Sequence, residues 1–326
     1  MQILKHLKKL HLEGPNLLTP KDVEHIAVSV PNLEELHPRY NADTGGSTSR
    51  WRRSLQILKH LKILHLTNPL AVEDVEHIAV SMPNLEELHL IHVDIGGSTS
   101  RWPHSMQILK HLKILHLTNP LAVEDVEHIA VSMPNLEELH ARYNADTGGS
   151  TSRWPHSMQI LKHLKKLHLV GPNLLTPKDV EHIAVSMPNL EELHLIHVDI
   201  GGSTSRWPHS MPILKHLKIL HSTNPLAVED VEHIAVSMPN LEELHVHAHE
   251  AIRGLTSLWP YSLRNMKHLK KLHLAECSLT GEDVVHIALS MSDTSSLVLL
   301  DLSLNETLGG SGESWPHLPK MKHLKK

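Results

Sequence analysis

The chain repeats itself about every 52 residues. The segment LQILKHLKILHLTNPLAVEDVEHIAVSMPNLEELH, starting at Leu55, returns from Met106 with only its first residue changed, and altered copies begin near Met1, Met158, Met211 and Asn265. One such unit cannot bury its apolar face alone, so the pattern demands a stacked array around a continuous core. The expected organisation is a single solenoid over 1–326, in six two-part units near 1–54, 55–105, 106–157, 158–210, 211–262 and 263–326. Neither end shows a clear capping repeat, so the chain reads as part of a longer array, a truncated one or an engineered one.

Composition narrows the function classes. Forty per cent apolar and 21% charged residues fit an ordered, water-soluble protein. The net charge of −5 is small and spread through the repeats, so no nucleic-acid partner is expected. No apolar run approaches the length of a membrane span, and no membrane association is expected. The opening MQILKHLKKLHL is repeat sequence without a secretory signal pattern, and Cys277 is the lone cysteine. Both favour a reducing, cytoplasmic setting without intramolecular disulfides. The Asn305-Glu306-Thr307 sequon is incidental there.

Each unit has two similar halves. Leu-x-x-Leu-x-Leu occurs as Leu7 to Leu12 and Leu61 to Leu66 in first halves, and as Leu85 to Leu90 and Leu190 to Leu195 in second halves. This short alternation predicts a half-buried strand, and identical strands at fixed spacing should pair in parallel. A helix follows the first strand: Val23, Ile26, Ala27 and Val30 fall at i, i+3, i+4 and i+7, with Thr19 as N-cap, Pro20 at the first helical position and Asp22 completing a capping box. Pro31 stops it. Thr280 begins a similar helix, whereas Ala71-Val72-Glu73-Asp74 lacks a capping side chain. The second half returns through turns such as Gly96-Gly97-Ser98-Thr99, and Trp51, Trp102, Trp154 and Trp207 recur beside them as packing plugs.

These residues resemble leucine-rich repeats of the ribonuclease-inhibitor-like subtype, with strands spaced roughly 24–28 residues apart. Leu269 to Thr280 reproduces LxxLxLxxCxL with Cys277 in the Cys/Asn slot, Leu297 to Asn305 reproduces LxxLxLxxN, and Asn41 and Asn144 take the same slot. The wording LKKLHL…LTGEDV followed by LGGS resembles the receptor domains of NOD-like (NACHT–leucine-rich-repeat) immune receptors. The resemblance implies an α/β leucine-rich-repeat solenoid, a horseshoe with about 12 short parallel strands on a concave face and helices or irregular turns on the convex side. The slot is proline at Pro15, Pro69, Pro120, Pro172 and Pro225, and Val93, Val198 or His249 elsewhere. Proline sets a bend but donates no hydrogen bond, so an irregular stack is expected.

In such a stack the x of Leu-x-Leu faces the concave surface. It reads His11, His37, His65, His89, His116, His140, His168, His194, His221, His245 and His273, then Asp301, at roughly 5 Å spacing. Two residues earlier stand Glu35, Glu87, Glu138, Glu192 and Glu243 in second halves, with Lys9, Ile63, Ile114, Lys166, Ile219 and Lys271 in first halves. Two residues later the column varies: Glu13, Arg39, Ile91, Arg142, Val170, Ile196 and His247 are the strongest contact candidates.

Three readings of the histidine ladder stay open. His can be a copied residue at a tolerant position. It can be a pH-responsive surface, since charges 5 Å apart repel by ~0.8 kcal/mol even in water and spread protonation below ~6.5. Or a group such as His11, His37 and Glu35 can bind a metal, although no zinc-type His/Cys spacing is present and no resident metal or cofactor is assigned. The histidines His25, His77, His128, His182, His233 and His286 are expected to face solvent on the helices.

No phosphate loop or nucleophile elbow is present, and the acid–base groups are copied throughout, which builds an extended surface and not one dissimilar pocket. The expectation is a non-enzymatic module that binds a protein or peptide on its concave face, which the resemblance makes a sensing domain of an intracellular immune receptor. The alternative is a structural or engineered scaffold without a natural ligand.

Overall fold

A computed structural model describes residues 4–12, 18–38, 56–66, 72–91, 104–121, 123–143, 159–175, 177–200, 214–223, 228–246, 263–291 and 296–308. The chain divides into two compact units, and the division falls at the junction of the third and fourth two-part repeats. The expected tryptophan plugs and glycine turns lie outside the described residues, as do Glu13, Arg39, His247, Asn41 and Asn144.

The first unit carries strands β1 (Lys9–His11), β2 (Glu35–His37), β3 (Ile63–Leu66), β4 (Glu87–Leu90), β5 (Ile114–Leu121) and β6 (Glu138–Tyr143), each parallel to the next in chain order. Its helices are α1 (Pro20–Ser29), α2 (Val72–Ser81) and α3 (Val123–Ser132). The second unit carries β7 (Lys166–Leu175), β8 (Glu192–Ile200), β9 (Ile219–Ser222), β10 (Glu243–Val246), β11 (Lys271–His273) and β12 (Leu299–Asp301), paired the same way. Helices α4 (Pro177–Ser186), α5 (Val228–Ser237) and α6 (Gly281–Ser290) belong to it.

Both units are built as the Leu-x-x-Leu-x-Leu pattern requires. Leu61, Leu64 and Leu66 are 0–1% exposed, as are Leu190, Leu193 and Leu195, while the histidine between the last two leucines is half-buried. Each leucine withdrawn this far from water contributes about 1.5–3 kcal/mol. The helices close the other side of this core with Val23, Ala27 and Val30 in and after α1 and their counterparts Val75, Ala79 and Met82 in and after α2. Backbone bonds tie successive repeats: the amides of Glu34 and Glu35 both donate to the Lys8 carbonyl, and those of Lys62 and Ile63 to the Glu34 carbonyl.

The caps fall where the sequence places them. Thr19 Oγ1 accepts from the Asp22 amide at 3.3 Å, and Asp22 Oδ2 accepts from the Thr19 amide at 2.8 Å. Thr280 and Asp283 repeat the box at α6. At the other helix end the Pro-Asn pair does more than stop the helix. Asn32, Asn135 and Asn240 each donate from Nδ2 to a carbonyl of the preceding repeat, Lys5, Lys110 and Lys215, at 3.2, 2.9 and 2.7 Å.

The bend after the strand depends on the slot residue. Asn305 Oδ1 accepts from the Cys277 and Leu279 amides, 3.0 Å each, and its Nδ2 donates to the Leu274 carbonyl at 2.8 Å. This buried clamp holds Glu276, Ser278 and Leu304 at φ of 53–59°, a region that costs non-glycine residues about 1–3 kcal/mol each. It also removes Asn305 from any modification role, since the side chain is fully engaged and 7% exposed as a residue. At two of the proline slots the chain runs on as strand: β5 and β7 continue through Pro120 and Pro172, with register shifts after His116 and Val170. Gly171 takes φ of 138° at the second shift, open only to glycine. Strands of 8, 10 and 9 residues at β5, β7 and β8 thus replace the short ones expected.

Candidate functional site

In-register pairing sets identical side chains side by side on the open face of the sheet in each unit. His11↔His37 and His65↔His89↔His116↔His140 are register partners in the first unit, and His168↔His194↔His221↔His245↔His273 in the second. Ring centroids stand 4.0, 3.7 and 3.6 Å apart from His11 through His37 and His65 to His89, all stacked. The stack breaks at His116, tilted 58° to His89, and resumes to His140 at 3.6 Å. In the second unit His168 and His194 stack at 3.7 Å, His194 and His221 part to 5.5 Å edge-on, and His245 meets His273 at 3.9 Å and 7°. The rings stacked at 3.6–4.0 Å lean closer than the ~4.8 Å between strands because stacking buries their faces.

The glutamates beside this ladder bridge it. Glu35 Oε1 lies 2.6 Å from His11 Nε2 and 3.3 Å from His37 Nε2; Glu138 Oε1 lies 3.0 Å from His116 and 2.9 Å from His140. Lysine adds a second counter-charge at Glu35 through Lys9 (2.6 Å), at Glu192 through Lys166 (3.2 Å) and at Glu243 through Lys271 (2.7 Å). Glu35, expected as an exposed contact residue, is covered by Lys9 and the two rings, leaving its side chain 9% exposed. The Lys9 hydrogen bond holds its carboxyl below the ordinary range despite that burial. At Glu243 burial pushes upward, yet hydrogen bonds from Lys271 and His245 leave it lowered. Of the variable column, Arg142 and Val170 are exposed, whereas Ile91 and Ile196 are half-buried.

Three imidazoles of the ladder, His37, His65 and His89, lose basicity mainly through burial. Burial comes first at His37, followed by the charges of His65 and His11. Burial also lowers His65 against its Glu87 bond, and burial plus the neighbouring imidazoles push His89 down to about 3. Mutual repulsion, the cause expected from the sequence, is secondary. The helix histidines depart from expectation too: His25 is exposed, but His77, His128, His182, His233 and His286 are half-buried.

A second column escaped the sequence reading. One residue before the Glu/Lys column, Lys8, Glu34, Lys62, Glu86 and Lys113 alternate in charge, with Lys8–Glu34 at 2.6 Å and Lys113–Glu86 at 3.0 Å. Lys218–Glu191 and Lys270–Glu242, both at 2.6 Å, continue the pattern in the second unit. Its signal was the alternation of Leu-Lys-Lys or Leu-Lys-Ile with Leu-Glu-Glu. Exposed pairs of this kind set charge pattern more than stability.

With this geometry in hand, the class is plain: parallel strands at leucine-rich spacing, backed by helices and faced by repeated polar columns, make a leucine-rich-repeat fold. No protein-family model matches the chain. It is 26% identical over 225 residues to the rat volume-regulated anion channel subunit LRRC8D, covering 69% of this chain and 24% of that protein. It is 31% identical over 144 residues to tubulin-folding cofactor E of Arabidopsis thaliana, covering 44% and 26%. The chain therefore spans about a quarter of the length of these relatives. A chain of the yeast Rad7 and Elc1 complex superposes with a TM-score of 0.55 at 16% identity, covering 94% of this chain and 82% of that one. Among the described residues no helix is long and apolar enough to cross a membrane.

Proposed function

We propose that this protein is a non-enzymatic recognition module whose histidine-bearing sheet face binds a protein or peptide. One observation carries the reading: the polar groups form in-register columns along an open sheet and not one dissimilar pocket. Such columns suit an extended partner contacted over many repeats, with Arg142, Val170, Ile91 and Ile196 supplying the variation that distinguishes one partner from another. The Rad7–Elc1 likeness supports protein binding as a use of this fold.

The finer role is a sensing domain of an intracellular immune receptor, supported by the LKKLHL…LTGEDV wording and by a lone, buried Cys277. Pull-down with the full chain at pH 7.4 and 5.5 tests the recognition role. Partners captured by the parent chain should be lost with R142E and V170D and retained when the exposed helix residue Val80 is changed to Asp. Retention by the two face variants, or equal loss from all three, overturns it.

A further inference from the structure

We propose that His65, Glu87 and His89 form a site for one divalent transition cation of the zinc or nickel class, bound through two imidazole nitrogens and one carboxylate oxygen. The site is separate from the recognition role and does not depend on it. Among the described residues five His/Glu groups bring three such atoms within 4.8 Å of one another: His11/Glu35/His37, His65/Glu87/His89, His116/Glu138/His140, His168/Glu192/His194 and Glu243/His245/His273. Borderline cations take nitrogen and oxygen at about 2.0–2.2 Å, which in a tetrahedron sets ligand atoms about 3.3 Å apart. Glu87 Oε1 stands 3.3 Å from His65 Nε2 and 2.6 Å from His89 Nε2, so only small movements separate the hydrogen-bonded trio from a ligand set.

Charge separates this group from three of the other four; in the fourth, Glu138 also has Ile114 beside it in register. Lys9, Lys166 and Lys271 place an ammonium on the carboxylates of Glu35, Glu192 and Glu243, which opposes a dication there. Glu87 is flanked in register by Ile63 and Ile114 instead. Among the described residues its carboxylate pairs with the two imidazoles and with no ammonium.

Ligation has a structural signature. The two rings are stacked at 3.6 Å and 20°, so their nitrogen lone pairs run nearly parallel. They converge on one ion only if the rings splay. Metal binding therefore opens the His65–His89 stack and leaves a fourth position for water or a partner's ligand.

Titration of the untagged full chain with zinc chloride by calorimetry tests the site. The equivalent at this group should bind at least tenfold more tightly than any at the three lysine-bearing groups. E87Q and H65N should each weaken that equivalent at least tenfold. I63K, which recreates the lysine arrangement of three of the other groups without touching a ligand, should do the same. H25Q and E35Q should leave it unchanged, and circular dichroism should show all variants folded. Imidazole NMR signals of His65 and His89 should shift together on saturation, which tests the parent chain even if a variant unfolds. The site is overturned by absence of a tight equivalent, by its survival in E87Q and H65N, by equal weakening in E35Q, or by unmoved His65 and His89 signals.

Discussion

Single side chains decide most where they replace something the backbone cannot supply. Asn305 answers two amides and a carbonyl at a buried bend. Replacing it with Ala strands those groups, and each buried polar group left unpaired costs about 1–3 kcal/mol. N305A should therefore lower stability by roughly 3 kcal/mol or more in urea denaturation, with the loss confined to the second unit. The ladder gives a pH prediction of definite sign. An imidazole whose folded pKa is depressed binds fewer protons folded than unfolded, so stability is fully present above the unfolded value near ~6.5 and is lost as pH falls toward the folded value. For His89, facing Glu87 and the imidazoles of His65, His116, His140 and His37, that window runs from ~6.5 to about 3. Thermal melts should fall progressively below pH 6.5, and H89Q should flatten the upper part of the decline. Below ~4.5 the lowered carboxyls of Glu35, Glu243 and Asp301 add losses of their own as they protonate, so the His89 effect is read between pH 6.5 and 5.

At the scale of elements, helix starts were legible because capping is local chemistry: Thr19 and Asp22 are three residues apart and need no distant partner. T19A should remove one such cap and destabilise by about 1 kcal/mol, measured as a shifted urea midpoint with unchanged slope. T280A should do the same at α6. Strand ends were less legible. Pro120 and Pro172 were read as bends, yet the strands run through them with shifted register. A proline fixes its own φ but says nothing about whether the neighbouring repeat offers an acceptor beyond it, so the extension depends on pairing across repeats. The Asn32, Asn135 and Asn240 bonds were missed for a similar reason, since their acceptors lie 25–27 residues away in sequence.

At the scale of the whole molecule, a repeat array holds together through neighbours, so a defect in one repeat should stay near it. L88A removes a fully buried leucine from β4 and should cost about 2–5 kcal/mol. Hydrogen exchange should show lost protection across β3 to β5 while β9 to β11 keep theirs. Equal loss in both sets would show that stability is shared globally instead. The same near-neighbour logic makes the face functional as columns: the charge pattern of Lys8, Glu34, Lys62 and Glu86 and the stacked imidazoles exist only where adjacent repeats align.

What the sequence determined by itself is the repeat, the strand and helix within it, the parallel order and the exposed columns. All follow from periodicity, which acts through local burial and so is written in each copy. What the tertiary structure decided is how the columns behave. Most rings of the ladder stack and are half-buried, Glu35 lies beneath Lys9, and His37, His65 and His89 lose basicity through desolvation more than through repulsion. Among five similar His/Glu groups it was the neighbour across the sheet, lysine or isoleucine, that set the charge environment. That neighbour comes from another repeat, and only the register of the folded sheet brings it alongside.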